Sequence, residues 1–301
     1  MNNRRKFLKQ SSLGIFGLSI IPNLSFAKKK NISITILHTN DMHSHIHPFK
    51  SGRNKGKGGV AARASLIKKI RDENEHVLLF DAGDIFQGTP YFNFYEGELE
   101  FKLMSEMQYD AATLGNHDFD NGLSGLKKQL KHANFPFLIA NYDFSNTILK
   151  NKFKPYKIFN KGGIKIGVFG IGIELKGLVP KELYNETIYQ DPIETANFYA
   201  KKLKEEYNCN LIICLSHLGF KYKSQKVSDF TLAESSKNID LIIGGHTHTF
   251  LKNAVIRKNI EKKDVIINQV GWAGINIGKI VFSFRQNKAK KLLKVKSIFV
   301  K

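Results

Sequence analysis

Short runs of apolar and β-branched residues recur along the chain, each bounded by polar or glycine-containing segments. They fall at Ile32–His38, Val77–Asp81, Ala111–Leu114, Phe137–Ala140, Ile164–Gly170, Leu211–Ser216, Leu241–Gly244 and Val265–Gln269. Runs of this length with little alternation predict strands buried on both faces. Between them, Val60–Glu73, Leu99–Met107, Leu123–His132 and Pro192–Tyr207 read as helices. Strands alternating with helices predict an α/β architecture. The pattern changes near the end, where Ile277–Arg285, a break at Gln286-Asn287 and Leu292–Val300 predict an antiparallel hairpin. Nothing divides residues 28–301, so one domain is expected there.

Composition narrows the class. The 301 residues are 42% hydrophobic and 24% charged, with 24 Gly and 7 Pro. These values exclude a disordered, collagen-like or polytopic membrane chain. The net charge of +21 invites a nucleic-acid reading. Few of the cations are arginine, however, and none lies between Arg71 and Arg257. Arginine is the preferred bidentate partner of phosphates and base edges, so nucleic acid is not an expected partner. Cys209 and Cys214, read as one strand-like run, are expected on opposite faces and unpaired.

The N-terminus carries Arg4-Arg5-Lys6, an apolar stretch from Ser11 to Ile21, and Ser25-Phe26-Ala27. A charged start, an apolar middle and a small-residue exit predict an export signal over residues 1–27, and Arg4-Arg5 resembles a twin-arginine signal. The stretch is shorter than the roughly 20 residues of a membrane span, so no stable anchor is expected. Loss of the segment removes Arg4, Arg5, Lys6 and Lys9 and no acid, leaving +17. The expected location is periplasmic or secreted.

Polar clusters stand where the strand runs end. They are His38-Thr39-Asn40-Asp41-Met42-His43, Asp81-Ala82-Gly83-Asp84, Gly115-Asn116-His117-Asp118, Ser216-His217 and Gly244-Gly245-His246-Thr247-His248. In α/β sheets, ligands bind beyond the carboxyl ends of the strands. Asp, Asn and His without thiolate suit Zn, Mn or similar divalent ions. So many donors exceed what one four-coordinate ion takes; they suit two ions sharing a carboxylate. Asp84 is the natural bridge, because Gly83 lets the backbone pass close.

The ordered motifs DMH, GD, GNHD, SH and GHTH resemble the calcineurin-like metallophosphoesterase superfamily. Leu37 to His43, Gly58-Gly59, Asp81 to Pro90 and Gly115 to Asp120 resemble the bacterial 5′-nucleotidase and UDP-sugar hydrolase family within it. The likeness runs from about Ile32 to Gly278. It implies a metallophosphatase four-layer α/β/β/α sandwich. It also implies roles: Asp41, His43 and His248 on one metal, Asp84 bridging, and Asn116, His217 and His246 on the other. His117 would face the substrate phosphate, its imidazole held by Asp120. The chemistry expected is phosphate-ester hydrolysis by hydroxide formed on the metals, with protonated His117 stabilising the phosphoryl or leaving-group oxygens.

The other polar residues carry milder expectations. His38 is structural, His45 and His47 lie on loop surface, and His76 and His132 are solvated. Asp81 and Asp118 support the ligands, and Ser216 satisfies backbone groups. Gly56-Lys57-Gly58-Gly59 lacks the ending of a phosphate loop and starts a helix. Arg63 is assigned no chemistry.

Full-length nucleotidases of this family continue into a second domain that positions the nucleotide. The present chain stops after the predicted hairpin. A separately encoded 5′-nucleotidase C-terminal domain is therefore an expected partner, and the open site should select its ester weakly. The alternative activities are a 2′,3′-cyclic-nucleotide phosphodiesterase, a nucleotide-sugar pyrophosphatase and, further off, a thiosulfate-ester hydrolase. From another class, the chain could be a non-catalytic metal-binding subunit of a split nucleotidase.

Overall fold

The computed structural model describes residues 31–285 and 287–301; the expected export signal lies outside them. In chain order the elements are β1 (Ile32–Thr39), α1 (Val60–Glu73), β2 (Val77–Asp81), α2 (Pro90–Tyr95), α3 (Glu98–Glu106), β3 (Ala111–Ala112), α4 (Gly122–Gln129) and β4 (Tyr142–Asp143). There follow β5 (Tyr156–Lys161), β6 (Ile164–Ile171), α5 (Lys181–Tyr184), β7 (Ile188–Tyr189), α6 (Pro192–Glu205), β8 (Leu211–Ser216) and α7 (Asp229–Ser235). Strands β9 (Leu241–Gly244), β10 (Val255–Lys258), β11 (Asp264–Asn268), β12 (Asn276–Phe284) and β13 (Lys290–Phe299) complete the fold.

Two mixed sheets result, one in the order β13-β12-β1-β2-β3, the other β10-β11-β9-β8-β6-β5. Period-two alternation on doubly buried strands stacks them. Ile34, Ile36, Leu78 and Phe80 of the first sheet meet Ile213, Leu215, Leu241 and Ile243 of the second in one apolar layer. The residues between them point outward. Leu37 and Leu79 pack against Ile67, Ile70, Phe101 and Leu126 from α1, α3 and α4. Ile212, Cys214 and Ile242 pack against Ala196, Ala200, Leu203 and Leu232 from α6 and α7. Three apolar layers separate four structural ones, the expected α/β/β/α sandwich. Each fully buried Ile, Leu or Phe contributes about 1.5–3 kcal/mol of transfer free energy.

Most strand bounds match the apolar runs, with informative departures. Phe137–Ala140 is not a ladder strand. Its amides alternate partners: Leu138 donates to Ala112 at 2.8 Å, Ile139 to Lys154 at 2.9 Å and Ala140 to Gly170 at 2.9 Å. The segment thus crosses from β3 to β6 and joins the two sheets. The hairpin forms, but β12 also pairs antiparallel with β1, with His38 opposite Gly278. Edge strands β5 and β10 escape the apolar signal, since each mixes polar residues into a short, partly exposed run, Lys157 and Asn160 facing out of β5 and Ile256 and Lys258 out of β10.

Cys209 and Cys214 are free, as expected, but both enter the same apolar layer. Cys209 precedes β8, so strand alternation does not reach it. His76 and His132 are half-buried rather than solvated. Among the described residues no helix is long and apolar enough to cross a membrane.

Candidate metal centre

Each donor sits where a strand leaves its sheet. The loops after β1 and β2 are tied by backbone bonds, Asp41 to Gly83 at 2.9 Å and His43 to Asp84 at 3.0 Å. Gly83, at φ 89°, packs so tightly that a Cβ there would lie 2.5 Å from Gly115 N and 2.9 Å from His217 Nδ1. Its task is the close approach of three loops, a stronger demand than the passage beside a metal expected from sequence. Asp41, His43, Asp84, His246 and His248 all hold positive φ between 47° and 70°. L-residues adopt that region at a cost, and such positions concentrate at functional sites.

These turns bring all the expected ligands together. Donor atoms of Asp41, His43 and His248 lie within 4.8 Å of one another, as do those of Asp84, His217 and His246. Asn116 Oδ1 is 2.8 Å from His246 Nδ1. Asp84 Oδ2 faces both groups, 3.8 Å from His43 Nε2 and 3.1 Å from His217 Nε2. Secondary contacts aim the rings. His217 Nδ1 is bonded to Ala82 O at 2.6 Å and His43 Nδ1 to Phe86 O at 3.3 Å, which leaves each Nε2 for the centre.

The donor set fits divalent cations. His43 Nε2 and His248 Nε2 stand 2.9 Å apart, two imidazole nitrogens face to face. His217 Nε2 is buried and faces the Asp84 and Asp41 carboxylates at 3.1 and 4.0 Å. The buried carboxylates Asp41 and Asp84 meet histidine nitrogens but no Lys or Arg ion pair among the described residues. Burial opposes both charges in the Asp84–His217 pair, yet their attraction prevails, holding Asp84 well below the carboxylate range and lifting His217 to about 10. Burial, then the His217 charge, pushes His246 down to about 3. An oxygen- and nitrogen-rich pocket of this kind suits Zn, Mn or similar ions.

His117 and Asp120 lie beside this cluster. His117 Nδ1 and Asp120 Oδ2 are 2.9 Å apart, and that bond, outweighing burial, raises the imidazole above its ordinary pKa. The His117 amide donates to Asp84 Oδ1 at 2.8 Å, which joins this histidine to the shared carboxylate.

Several supporting residues had no role in the sequence reading. Asn40 donates to Asp41 Oδ2 at 2.5 Å and accepts from Val270 N at 3.0 Å, clamping the first ligand to the loop after β11. Gln269 donates to Gly245 O at 2.5 Å and accepts from the Thr249 amide, bracing both sides of His246-Thr247-His248. The Trp272 ring stacks on His248 at 5.6 Å and 8°. Only position signalled them: Asn40 adjoins a ligand and Gln269 ends an apolar run. Asp81, as expected, plays support, accepting from Thr39 Oγ1 at 2.6 Å and Gly83 N at 2.9 Å. His45 departs from the loop-surface expectation, wedged against Phe49 and Trp272.

The calcineurin-like phosphoesterase model matches residues 34–250. The chain belongs to this family. Calcineurin-like phosphoesterases use a dimetal centre, and the two donor groups here are the candidate for it. The chain is 42% identical over 233 residues to a snake venom 5′-nucleotidase of Crotalus adamanteus, covering 73% of this chain and 38% of that one. A 5′-nucleotidase of Vibrio cholerae is 33% identical over 296 residues, covering 90% and 52%. Among solved structures, a 5′-nucleotidase precursor from Thermus thermophilus superposes with TM-score 0.78 at 32% identity, covering 89% of this chain and 55% of that one. The chain thus spans about half, or less, of the length of these relatives.

Proposed function

We propose that the chain is the catalytic part of an exported two-metal phosphohydrolase acting on 5′-nucleotides. The observation that carries this reading is Asp84, facing a donor group on either side, with His117 and Asp120 adjacent. In it, Asp41, His43 and His248 hold one ion, Asn116, His217 and His246 the other, and Asp84 both. Bound ions supply positive charge against the phosphoryl group and make water acidic enough to ionise near neutral pH. Asp120 fixes the His117 tautomer and favours its protonated form, so that Nε2 donates to a phosphoryl or leaving-group oxygen. Left-handed turns at the ligand positions hold the donors in place before substrate arrives.

The test is metal analysis joined to a substrate panel. Protein loaded with Mn, Zn or Co should release phosphate from AMP, and chelation should abolish it. 2′,3′-Cyclic AMP and a UDP-sugar separate the alternative activities. Metal-loaded protein inert toward every ester, alone and with a second-domain polypeptide, would sink the enzymatic reading.

The relatives' greater length supports a second part. We propose that a 5′-nucleotidase C-terminal domain supplies it; added as a polypeptide, that domain should bind this chain and raise kcat/KM for AMP. Efficient AMP hydrolysis by the chain as a monomer would remove that partner. Export through residues 1–27 belongs to the same proposal; retention of a tagged chain in the cytoplasm would contradict it.

A further inference from the structure

Beneath the turn that carries the first two ligands lies a small cavity of about 20 Å³, whose lining includes Met42, Ser44, Arg63, Ile85, Glu100 and Met104. Arg63 comes from α1 and Glu100 from α3, and they are the charged side chains of that lining. Both are buried, at 3% and 4% exposure. Each leaves one polar atom without a partner, Nε of Arg63 and Oε2 of Glu100. Buried polar groups seldom go unpaired, so two around one cavity require an explanation.

Their remaining contacts converge on the ligand turn. Arg63 Nη1 donates to Met42 Sδ at 3.6 Å, and Glu100 Oε1 accepts from Ser44 Oγ. Met42 lies between Asp41 and His43, and Ser44 follows His43. Three residues of this four-residue turn, Asp41, His43 and Ser44, hold φ between 47° and 57°. Such backbone persists only where its surroundings over-determine it. Gly274, at φ 61°, makes room for the guanidinium, because a Cβ there would strike Nη1. Burial works against both charges, lowering the Arg63 pKa and raising that of Glu100. Linking the two groups offsets that penalty. The cavity has the size of one water molecule, and a buried water makes about three hydrogen bonds to otherwise unsatisfied groups.

We propose that Arg63 and Glu100, bridged by one ordered water in this cavity, are positioning residues that hold the Asp41–Ser44 turn ready for its ion. The inference rests on the two-metal reading above and adds to it two residues that are not ligands. It also gives Arg63 a task, where the sequence alone assigned none.

The test is a double-mutant cycle on the full chain with Arg63→Met and Glu100→Gln, which keep much of the side-chain length and remove the charge. Zn is titrated against a competing chelator, and stability without metal is read from urea melts. Each single variant should weaken one of the two metal equivalents about tenfold, as loss of a residue that orients a ligand does. The double variant should lose little more than either single one, because the link is already broken. Leu103→Ala, which alters the same lining without touching a polar group, should lower stability and leave metal affinity at its wild-type value. A crystal structure of the wild-type chain should show one water within hydrogen-bond distance of Arg63 Nε and Glu100 Oε2, and that observation needs no variant to fold. Wild-type metal affinity in both single variants, fully additive losses, or a dry cavity overturns the proposal. So does an equal loss of metal affinity in Leu103→Ala, which would reduce the pair to packing. If metal-loaded wild type hydrolyses no ester, the phosphohydrolase reading fails, while the metal titration still decides the task of the pair.

Discussion

At the residue scale, two histidines that both reach Asp84, one buried and one partly exposed, should behave in opposite ways. His217 offers a buried Nε2 to the centre, whereas His117 spends Nδ1 on Asp120. His117→Ala should therefore keep two equivalents of metal and lose roughly 10²–10⁴ in kcat, the usual contribution of general acid–base catalysis. His217→Ala should lose metal as well. Elemental analysis beside kinetics separates them, and metal loss in His117→Ala would make that residue a ligand. A third histidine acts on stability. His38 is buried and bonded through Nε2 to Asn268 Oδ1 at 2.7 Å, and burial, against that bond, lowers its pKa from 6.5 to about 4. Between those values the unfolded chain binds the extra proton, so stability is full above pH 6.5 and falls as pH drops toward 4. The loss is about 3 kcal/mol. His38→Gln should flatten that limb in urea melts at pH 7.5 and 4.5; an unchanged slope would remove His38 from the acid response.

At the scale of elements, the loops after β2 and β3 share one fastening. Asp118 accepts backbone N–H bonds from Asp84 at 3.0 Å, Ile85 at 2.9 Å, Phe86 at 3.1 Å and Gly115 at 2.8 Å. Asp118→Ala strands these amides and should cost about 3–5 kcal/mol in urea denaturation, with weaker metal retention; wild-type values for both would show the loops fastened elsewhere. Gly83→Ala should be comparably damaging, because it combines a positive φ with a backbone clash. The same elements show what could be read beforehand. Ile213 or Leu79 announces a buried strand because apolar runs record burial directly, and strand ends announce the donors because polar groups there need a reason. Asn40 and Gln269 stayed hidden, since their bonds join residues about 230 and 24 positions apart. Phe137–Ala140 misled because an apolar run records burial, not whether one ladder or two take its amides. Strands β5 and β10 hid for the converse reason: half of each faces water.

At the scale of the whole molecule, the centre stands between two sheets that contribute donors from opposite sides. Filling it should stiffen the fold. Ion at a hundredfold excess over its Kd adds about 2.7 kcal/mol, or roughly 5–10 °C in Tm for a domain of this size. Calorimetry before and after chelation measures this, and an unmoved Tm would argue against a structural pair of ions.

The pairing of β1 with β12 has a temporal consequence. His38 finds its partner in Gly278, 240 positions later. While a ribosome is still translating the intervening stretch, the strand leading to Asp41 and His43 lacks one neighbour. The first half of the centre is thus composed early and locked late. Ions held there should be taken up only once β12 has been made, and contacts so remote in sequence should make that closure a slow step of maturation.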